Sequence, residues 1–475
     1  MTKVENITFY EFVEERPLSE IRPLLGNLYE VFLSRNLIKY NSNSNTYNFN
    51  YAGFAVSKNN LVVVFPKYLY KEFSKITNHR ERQIREYEES KNLYKLLKRN
   101  EEDLKKNSNI IKVGDADFFN ESNSNFTNEL AIAEFILNDY QMNGIWNYNT
   151  SNILLNAPGE ADWNVTIDNI DPIISNGNII YGDTYNKNTE TVTNSLITEV
   201  HKFAIEYCSE RYSFLLDISL SGQLETANDL EDIGEQNFLL YRIEKQLSIT
   251  YQEREILLLK NLAELINIRA SSNDDVFSLY GRRDFEQVWE TALQFTIQHD
   301  PKFRKTYFPP PEWYQLSEKR KLNLNVNHAL KPDILRLSTF GDQRNFLILD
   351  AKYYLINYDS PSSFPMISDI VKQYFYEAAL IRKDIGYQSE EIINGMIFPS
   401  QEENFINWYE PIGHVRLDND LFMINVDGIL KRKPILIYFM SPNFIFNKYI
   451  SSQTLSDQEI LVFVEKSQYY IEKLI

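Results

Sequence analysis

The sequence predicts an α/β protein, with an α+β N-terminal half and a C-terminal domain whose mixed central sheet is flanked by helices. Three observations carry that expectation. Short apolar runs alternate with amphipathic helical stretches through the last third of the chain, the order that builds a sheet with helices packed on it. An apolar hairpin near the N-terminus is followed by a long, charge-dense helical stretch. Between the halves, residues 270–276 (ASSNDDV) are polar and unpatterned, which places a boundary there. The expected division is 1–270 and 271–475, with a further break near 107–128. A length of 475 residues accommodates two large domains or three of roughly 150 residues.

Taken in order, Leu25, Leu28, Tyr29, Phe32 and Leu33 fall at helical spacing, and Tyr47 to Tyr51 alternates like a strand. Tyr51 to Val56 and Leu61 to Phe65 form a hairpin around Asn59-Asn60, closed by Pro66-Lys67. Residues 71–106 carry dense charge of both signs and only a thin apolar stripe of Ile84, Tyr87, Tyr94 and Leu97, so one or two solvated helices are expected. Glu129 to Met142 reads as an amphipathic helix ending near Asn143-Gly144. Trp163 reads as a core anchor, Glu160 and Asp162 as loop acids, Ile179 to Tyr181 as a strand, and Thr198 to His201 as a helix start. Residues 219–237 read as an acidic loop. Gln252 to Ile268 reads as a helix buried along Ile256, Leu257, Leu259, Leu262, Leu265 and Ile266.

In the C-terminal part, Phe285, Val288, Trp289, Ala292 and Leu293 make a helical apolar stripe flanked by Glu286 and Glu290 at i and i+4. Lys302, Arg304, Lys305, Lys319, Arg320 and Lys321 interleave with Tyr307, Phe308, Trp313 and Tyr314 around a Pro309-Pro310-Pro311 run, a mixture that suits phosphate contact and stacking as well as a solvated loop. Ile334 to Leu337 and Phe346 to Leu349 are strands linked through 338–345, with Gly341-Asp342 as the turn. Asp333 enters that hairpin and Asp350 leaves it. Because side chains alternate along a strand, Asp350 and Lys352 project to one side and Ala351 to the other. A helix follows from Ser368, its buried stripe expected at Ile370, Val371, Tyr374, Phe375 and Ala378, with Lys372, Gln373 and Tyr376 near another face. Ile392 to Phe398, Ile412 to Leu417 and Pro434 to Phe439 supply further strands, and Gln458 to Glu472 a covering helix.

Composition narrows the function classes. The balance of 49 basic and 66 acidic residues, net −17, argues against general polyanion adhesion. Residues 281–352 are the local exception, with 12 Lys and Arg against 9 Asp and Glu. A single cysteine, Cys208, rules out an intrachain disulfide and a cysteine-rich zinc site. His79, His201, His299, His328 and His414 have no metal-ligating spacing and read as structural or exposed. There is no signal-like segment, no apolar run near ~18 residues and no GxxxxGK[ST] loop, so a cytoplasmic protein without its own nucleotide-hydrolysing site is expected.

Pro332-Asp333, a strand, a turn and Asp350-Ala351-Lys352 resemble the PD-(D/E)xK nuclease core. The chemistry suits it, since phosphodiester hydrolysis uses a hard divalent cation, an activated water and positive charge beside the phosphate. The resemblance implies that Asp333 and Asp350 hold Mg²⁺, with Mn²⁺ as substitute, that the Ala351 carbonyl adds a ligand and that Lys352 orients water or stabilises developing charge. It further implies a helix acid, Glu290 ahead of Glu286, and a glutamine, Gln373, from the Lys372-Gln373-x-x-Tyr376 string. Tyr51-x-Gly53 with Pro66-Lys67 is similar to McrC-like restriction subunits. Gly159-Glu160-x-x-Trp163-x-x-Thr166-Ile167, Tyr181 and Thr198-Glu199-Val200-His201 resemble the related LlaJI family of restriction endonucleases. The resemblance spans most of the chain. It implies a Mg²⁺-dependent DNA endonuclease of an anti-phage restriction system, controlled by a separate AAA+ GTPase subunit of the McrB type, with no membrane partner. Three alternatives stay open: a non-catalytic DNA-binding or scaffold subunit, a stand-alone type II-like enzyme, and RNA as substrate. The sequence is also compatible with a homo-oligomer.

Overall fold

The computed structural model describes residues 5–57, 60–107, 118–122, 128–192, 195–218, 224, 227, 229–270, 277–308, 313–315, 320–322, 330–341, 343–357, 359–381, 392–400, 408–417 and 433–474. The chain is α/β, with mixed helices and sheets. The first sheet runs in the order Glu5–Tyr10, Asn60–Phe65, Ala52–Ser57, Phe277–Arg282, Phe118–Ser122. The expected hairpin of the N-terminal half is therefore present, and Asn59 of its turn lies outside the described residues. Among the described residues, no helix is long and apolar enough to cross a membrane.

Two compact units share the chain. The first comprises Met1–Asn6, Ala55–Leu61 and Asn120–Tyr280. Its helices include Glu129–Asn143, Leu196–Leu216, Gln236–Leu247 and Glu253–Ala270. Two buried carboxylates lock them together. Tyr207 and Tyr212 donate their hydroxyls to Glu129 Oε1 at 2.7 and 2.8 Å, and Arg254 grips Asp139 at 2.7 and 2.9 Å, each a charge-assisted bond that fixes a helix crossing. His201 is structural, as expected: its Nδ1 accepts the Trp146 N–H at 3.0 Å. Burial lowers its pKa to about 4, so the imidazole is neutral in the fold.

Three expectations for this unit need correction. Trp163 is 55% exposed and lies edge-on to Tyr181, while Asp162 caps the helix Trp163–Asn169 by accepting the Val165 N–H. Within 219–237, the segment Leu230–Ile233 is helical and Gln236 begins another helix, because Asp229 closes a capping box with Asp232. In Glu253–Ala270 the buried stripe runs through Leu258 rather than Leu257, which is exposed. One hairpin, Ile173–Ser175 with Asn178–Ile180, turns at Asn176-Gly177, both left-handed, the dipeptide such a tight turn demands. Ile173, Ile174, Ile179 and Ile180 are all exposed on it.

The second unit comprises Ile7–Phe54, Val62–Phe119 and Gly281–Ile475. The helix His79–Asn107 is solvated along its first half, where Ile84 and Tyr87 are exposed. Leu93, Tyr94, Leu96 and Leu97 then bury against the unit. The C-terminal sheet has the order Ile334–Phe340, Gln343–Ala351, Ile392–Pro399, Ile435–Met440, Tyr409–Val415. It is mixed: the first pair is antiparallel, the next two parallel and the last antiparallel. In Gln343–Ala351, Phe346 and Ile348 on one face and Leu347 and Leu349 on the other are all fully buried, as a strand covered on both faces requires.

The helix Glu286–Ile297 buries the expected stripe of Val288, Trp289, Ala292 and Leu293. The helix Ile367–Ile381 connects the parallel strands Gln343–Ala351 and Ile392–Pro399, and Asp457–Leu474 packs on the sheet. The hairpin strands run longer than expected, to Phe340 and from Gln343, because left-handed Gly341 allows a two-residue turn. Pro301–Tyr307 is helical, and Pro442–Ile450 is a helix with no counterpart in the sequence reading. Residues 309–312, 316–319, Asp342 and the boundary segment 271–276 lie outside the described residues, as do the side chains of Arg304, Lys305, Trp313, Tyr314, Arg320 and Lys321, so the basic and aromatic stretch is described only in part.

Candidate functional site

The hairpin brings its two acids together. Ile334 pairs with Leu349, so Asp333, one residue before the strand, faces Asp350 across the ladder. The Ala351 N–H donates to Asp333 Oδ2 at 2.9 Å and fixes that carboxylate at the strand end. Burial, then the charges of Asp350 and Glu290, drive the Asp333 pKa well above the usual carboxylate range.

Lys352 projects to the Asp350 side, as strand alternation dictates. Its Nζ lies 2.8 Å from Asp350 Oδ2 and 3.0 Å from Asp369 Oδ1. Its backbone N–H donates to the Ile397 carbonyl at 2.8 Å, which extends the parallel pairing by one residue. Burial opposes the charge of this amine, but Asp350 and Asp369 outweigh it and raise its pKa, so the ammonium form persists at neutral pH. Ala351 is buried on the opposite face.

Glu290 comes from the helix Glu286–Ile297 and is half-buried. Burial, then Glu286 and Asp350, raise its pKa, while Gln294 Nε2 donates to its Oε1 at 2.8 Å. Glu286, one turn earlier, is exposed. Among the described residues, no three His, Cys, Asp or Glu side chains are gathered as a ready metal cage. Two adjoining carboxylates, with a third acid near enough to act on both through its charge, suit a hard cation that keeps waters and phosphate oxygens in its remaining positions.

The helix Ile367–Ile381 is turned differently from the expectation. Asp369, Gln373, Tyr376 and Glu377 are buried, and Phe375 and Ala378, placed on the expected apolar stripe, are exposed. The polar face turns inward because its partners lie there: Lys352 for Asp369, and Asn394, whose Nδ2 donates to the Gln373 carbonyl at 3.0 Å and to Glu377 Oε2 at 3.3 Å. The Gln373 side chain is fully buried, and among the described residues neither its Nε2 nor its Oε1 has a hydrogen-bond partner. Burial, then Asp350 and Asp333, push the Tyr376 pKa up to about 12. Asp369 was not singled out in the sequence. Its signal was position alone, four residues before Gln373 and so on the same helix face.

The structure thus brings Asp333, Asp350, Ala351 and Lys352 to one strand end, with Glu290 and Gln373 on the helices that approach it. Residues 51–441 match the LlaJI restriction endonuclease family. The chain is 27% identical over 454 residues to the type II restriction enzyme BsuMI component YdjA of Bacillus subtilis (strain 168), covering 94% of this chain and 90% of that protein. Among solved structures it is similar to a chain from the assembly of Thermococcus gammatolerans McrB AAA+ hexamers with bound McrC, at 13% identity and a TM-score of 0.37, with 94% of this chain and 99% of that chain covered. A weaker similarity, to restriction endonuclease FokI, has 11% identity and a TM-score of 0.12, with 78% and 72% covered.

Proposed function

Because this chain belongs to the LlaJI restriction endonuclease family, we propose that it is an endodeoxyribonuclease of the PD-(D/E)xK type that works as one subunit of a restriction system. The observation that carries this reading is the strand end itself: Asp333 against Asp350 on paired strands, with Lys352 Nζ 2.8 Å from Asp350. Asp333, Asp350 and the Ala351 carbonyl would hold Mg²⁺, with Glu290 as a further acid. Such a cation, when bound, supplies Lewis-acid activation of water and charge compensation at the phosphate.

The residues of the chain do the rest. Lys352 presents a fixed ammonium beside the acids, where negative charge develops on the phosphoryl oxygens and the attacking water. Asp369 keeps that ammonium from swinging away. Glu290 adds a carboxylate from a helix that is rigid by packing. Gln373 offers a donor and an acceptor that the described residues leave unpartnered, the state expected of a group reserved for water or a scissile-strand phosphate.

Assembly with another subunit is part of the proposal. The relative in Bacillus subtilis is named as a component of its enzyme, and the isoleucine hairpin of residues 173–180 leaves apolar side chains in solvent that a lone soluble chain gains nothing by exposing. An AAA+ GTPase of the McrB kind is the partner proposed, on the resemblance of Tyr51-x-Gly53 and Pro66-Lys67 to McrC-like subunits. Incubation of the chain, alone and with the products of neighbouring genes, with plasmid or phage DNA in Mg²⁺ tests the reading. Cleavage that is lost in EDTA and in Asp350→Ala supports it, and cleavage unaffected by both removes it.

A further inference from the structure

Tyr353 follows Lys352 directly, and its side chain points away from the acids into the unit, where it is only 3% exposed. Its hydroxyl donates to Glu11 Oε2 at 3.0 Å. Lys67 Nζ stands 4.1 Å from the Tyr353 ring centroid. The Phe285 ring lies 5.7 Å from Tyr353, and Phe285 is the residue that opens the helix carrying Glu286 and Glu290. One buried knot therefore touches both segments that deliver acids and the lysine to the site.

We propose that Glu11 and Lys67 are positioning residues of the nuclease site, acting through Tyr353 to hold Lys352 and the Glu290 helix in register. The inference rests on the nuclease reading above. Glu11 is completely buried, and among the described residues its Oε1 has no hydrogen-bond partner, a state that costs free energy in a buried polar group. Its neighbour Phe12 holds a left-handed φ of 57°, unfavourable for a residue with a side chain, and lies with its ring 5.3 Å from Lys67 Nζ. A strained backbone and a half-paired buried acid persist together only where the surrounding structure imposes them. Both sit behind the strand end that carries Asp350 and Lys352, and neither reaches the acids themselves. What they set is the direction in which the chain leaves Lys352.

Kinetics separate positioning from mere stability. In the full chain with its partner subunits and Mg²⁺, Tyr353→Phe keeps the ring and removes one hydroxyl. The expected result is a kcat lowered about ten-fold, the scale of a small displacement of catalytic groups, with KM for DNA unchanged and Tm within a few degrees of wild type. Glu11→Ala shows the same split, and Glu11→Gln, which still accepts the hydroxyl, restores kcat to within about three-fold. Ile460→Val, a core change elsewhere in the unit, is the control and leaves kcat unaltered at a similar loss of Tm. A wild-type enzyme that cuts, with Tyr353→Phe cutting equally fast or losing rate only through KM, overturns this inference alone. A wild-type chain no more active than Asp350→Ala overturns the nuclease reading and this inference with it.

Discussion

Asp369→Asn isolates the charge that steadies Lys352. The asparagine keeps the shape of the side chain and a carbonyl acceptor, and it removes one of the two carboxylates around the ammonium. In the structure that carboxylate is 3.0 Å from Nζ, and both side chains are about one-tenth exposed, 13% and 11%, so screening by solvent is slight. With an effective dielectric of about 20, the gross attraction at this distance is about 5 kcal/mol. Desolvation of two ions offsets much of it, and a charge-assisted hydrogen bond of this kind contributes about 1.5–3 kcal/mol net. If that energy is spent on holding the ammonium where charge develops, its loss lowers the cleavage rate by about 10- to 100-fold. The assay is conversion of supercoiled plasmid to nicked and linear forms in Mg²⁺, with Tm measured on the same preparation. A rate within two-fold of wild type at unchanged Tm would refute the role given to Asp369.

Gln373→Met replaces a buried amide, whose two polar atoms lack partners among the described residues, with an apolar side chain of similar volume, so Tm should rise while cleavage falls by ten-fold or more; a variant both less stable and fully active contradicts the reading. The neutral, buried His201 makes a pH prediction. Its folded pKa of about 4 lies below the ordinary 6.5, so the unfolded chain binds the extra proton between these values, and stability is full above about pH 6.5 and is lost as pH falls towards 4. The total is about 3 kcal/mol from this residue. His201→Gln should flatten that slope in thermal melts between pH 4 and 7, and an unchanged slope would assign the acid sensitivity elsewhere.

The acid pair was legible because it depends on local rules. Period-two apolar runs, a glycine at the turn and the alternation of side chains place Asp333, Asp350 and Lys352 within one hairpin, and the register Ile334 to Leu349 follows from it. The helix Glu286–Ile297 was legible for the same reason, since its stripe has one apolar face. The helix Ile367–Ile381 misled because apolar side chains occupy most of its circumference. What decides its rotation is the burial of Asp369 against Lys352 and of Glu377 against Asn394, contacts made to other strands. Trp163 misled in the opposite sense, as a large aromatic that the fold leaves exposed. The bond from Tyr353 to Glu11 spans 342 positions, and no periodicity in either segment announces it. Local pattern thus located the chemistry, while long-range polar contacts that support it became visible only in three dimensions.

DNA cleavage with a divalent cation held by Asp333 and Asp350 is the chemistry proposed for the end of the strand Gln343–Ala351. The most direct measurement is cleavage of plasmid or phage DNA by the purified chain with its partner subunits, in Mg²⁺ and in EDTA, beside Asp350→Ala and Lys352→Ala. Cutting is expected from the wild type in Mg²⁺ only, and from neither variant, each still folded by its melting profile. Full activity in both variants, or undiminished cutting in EDTA, would contradict it.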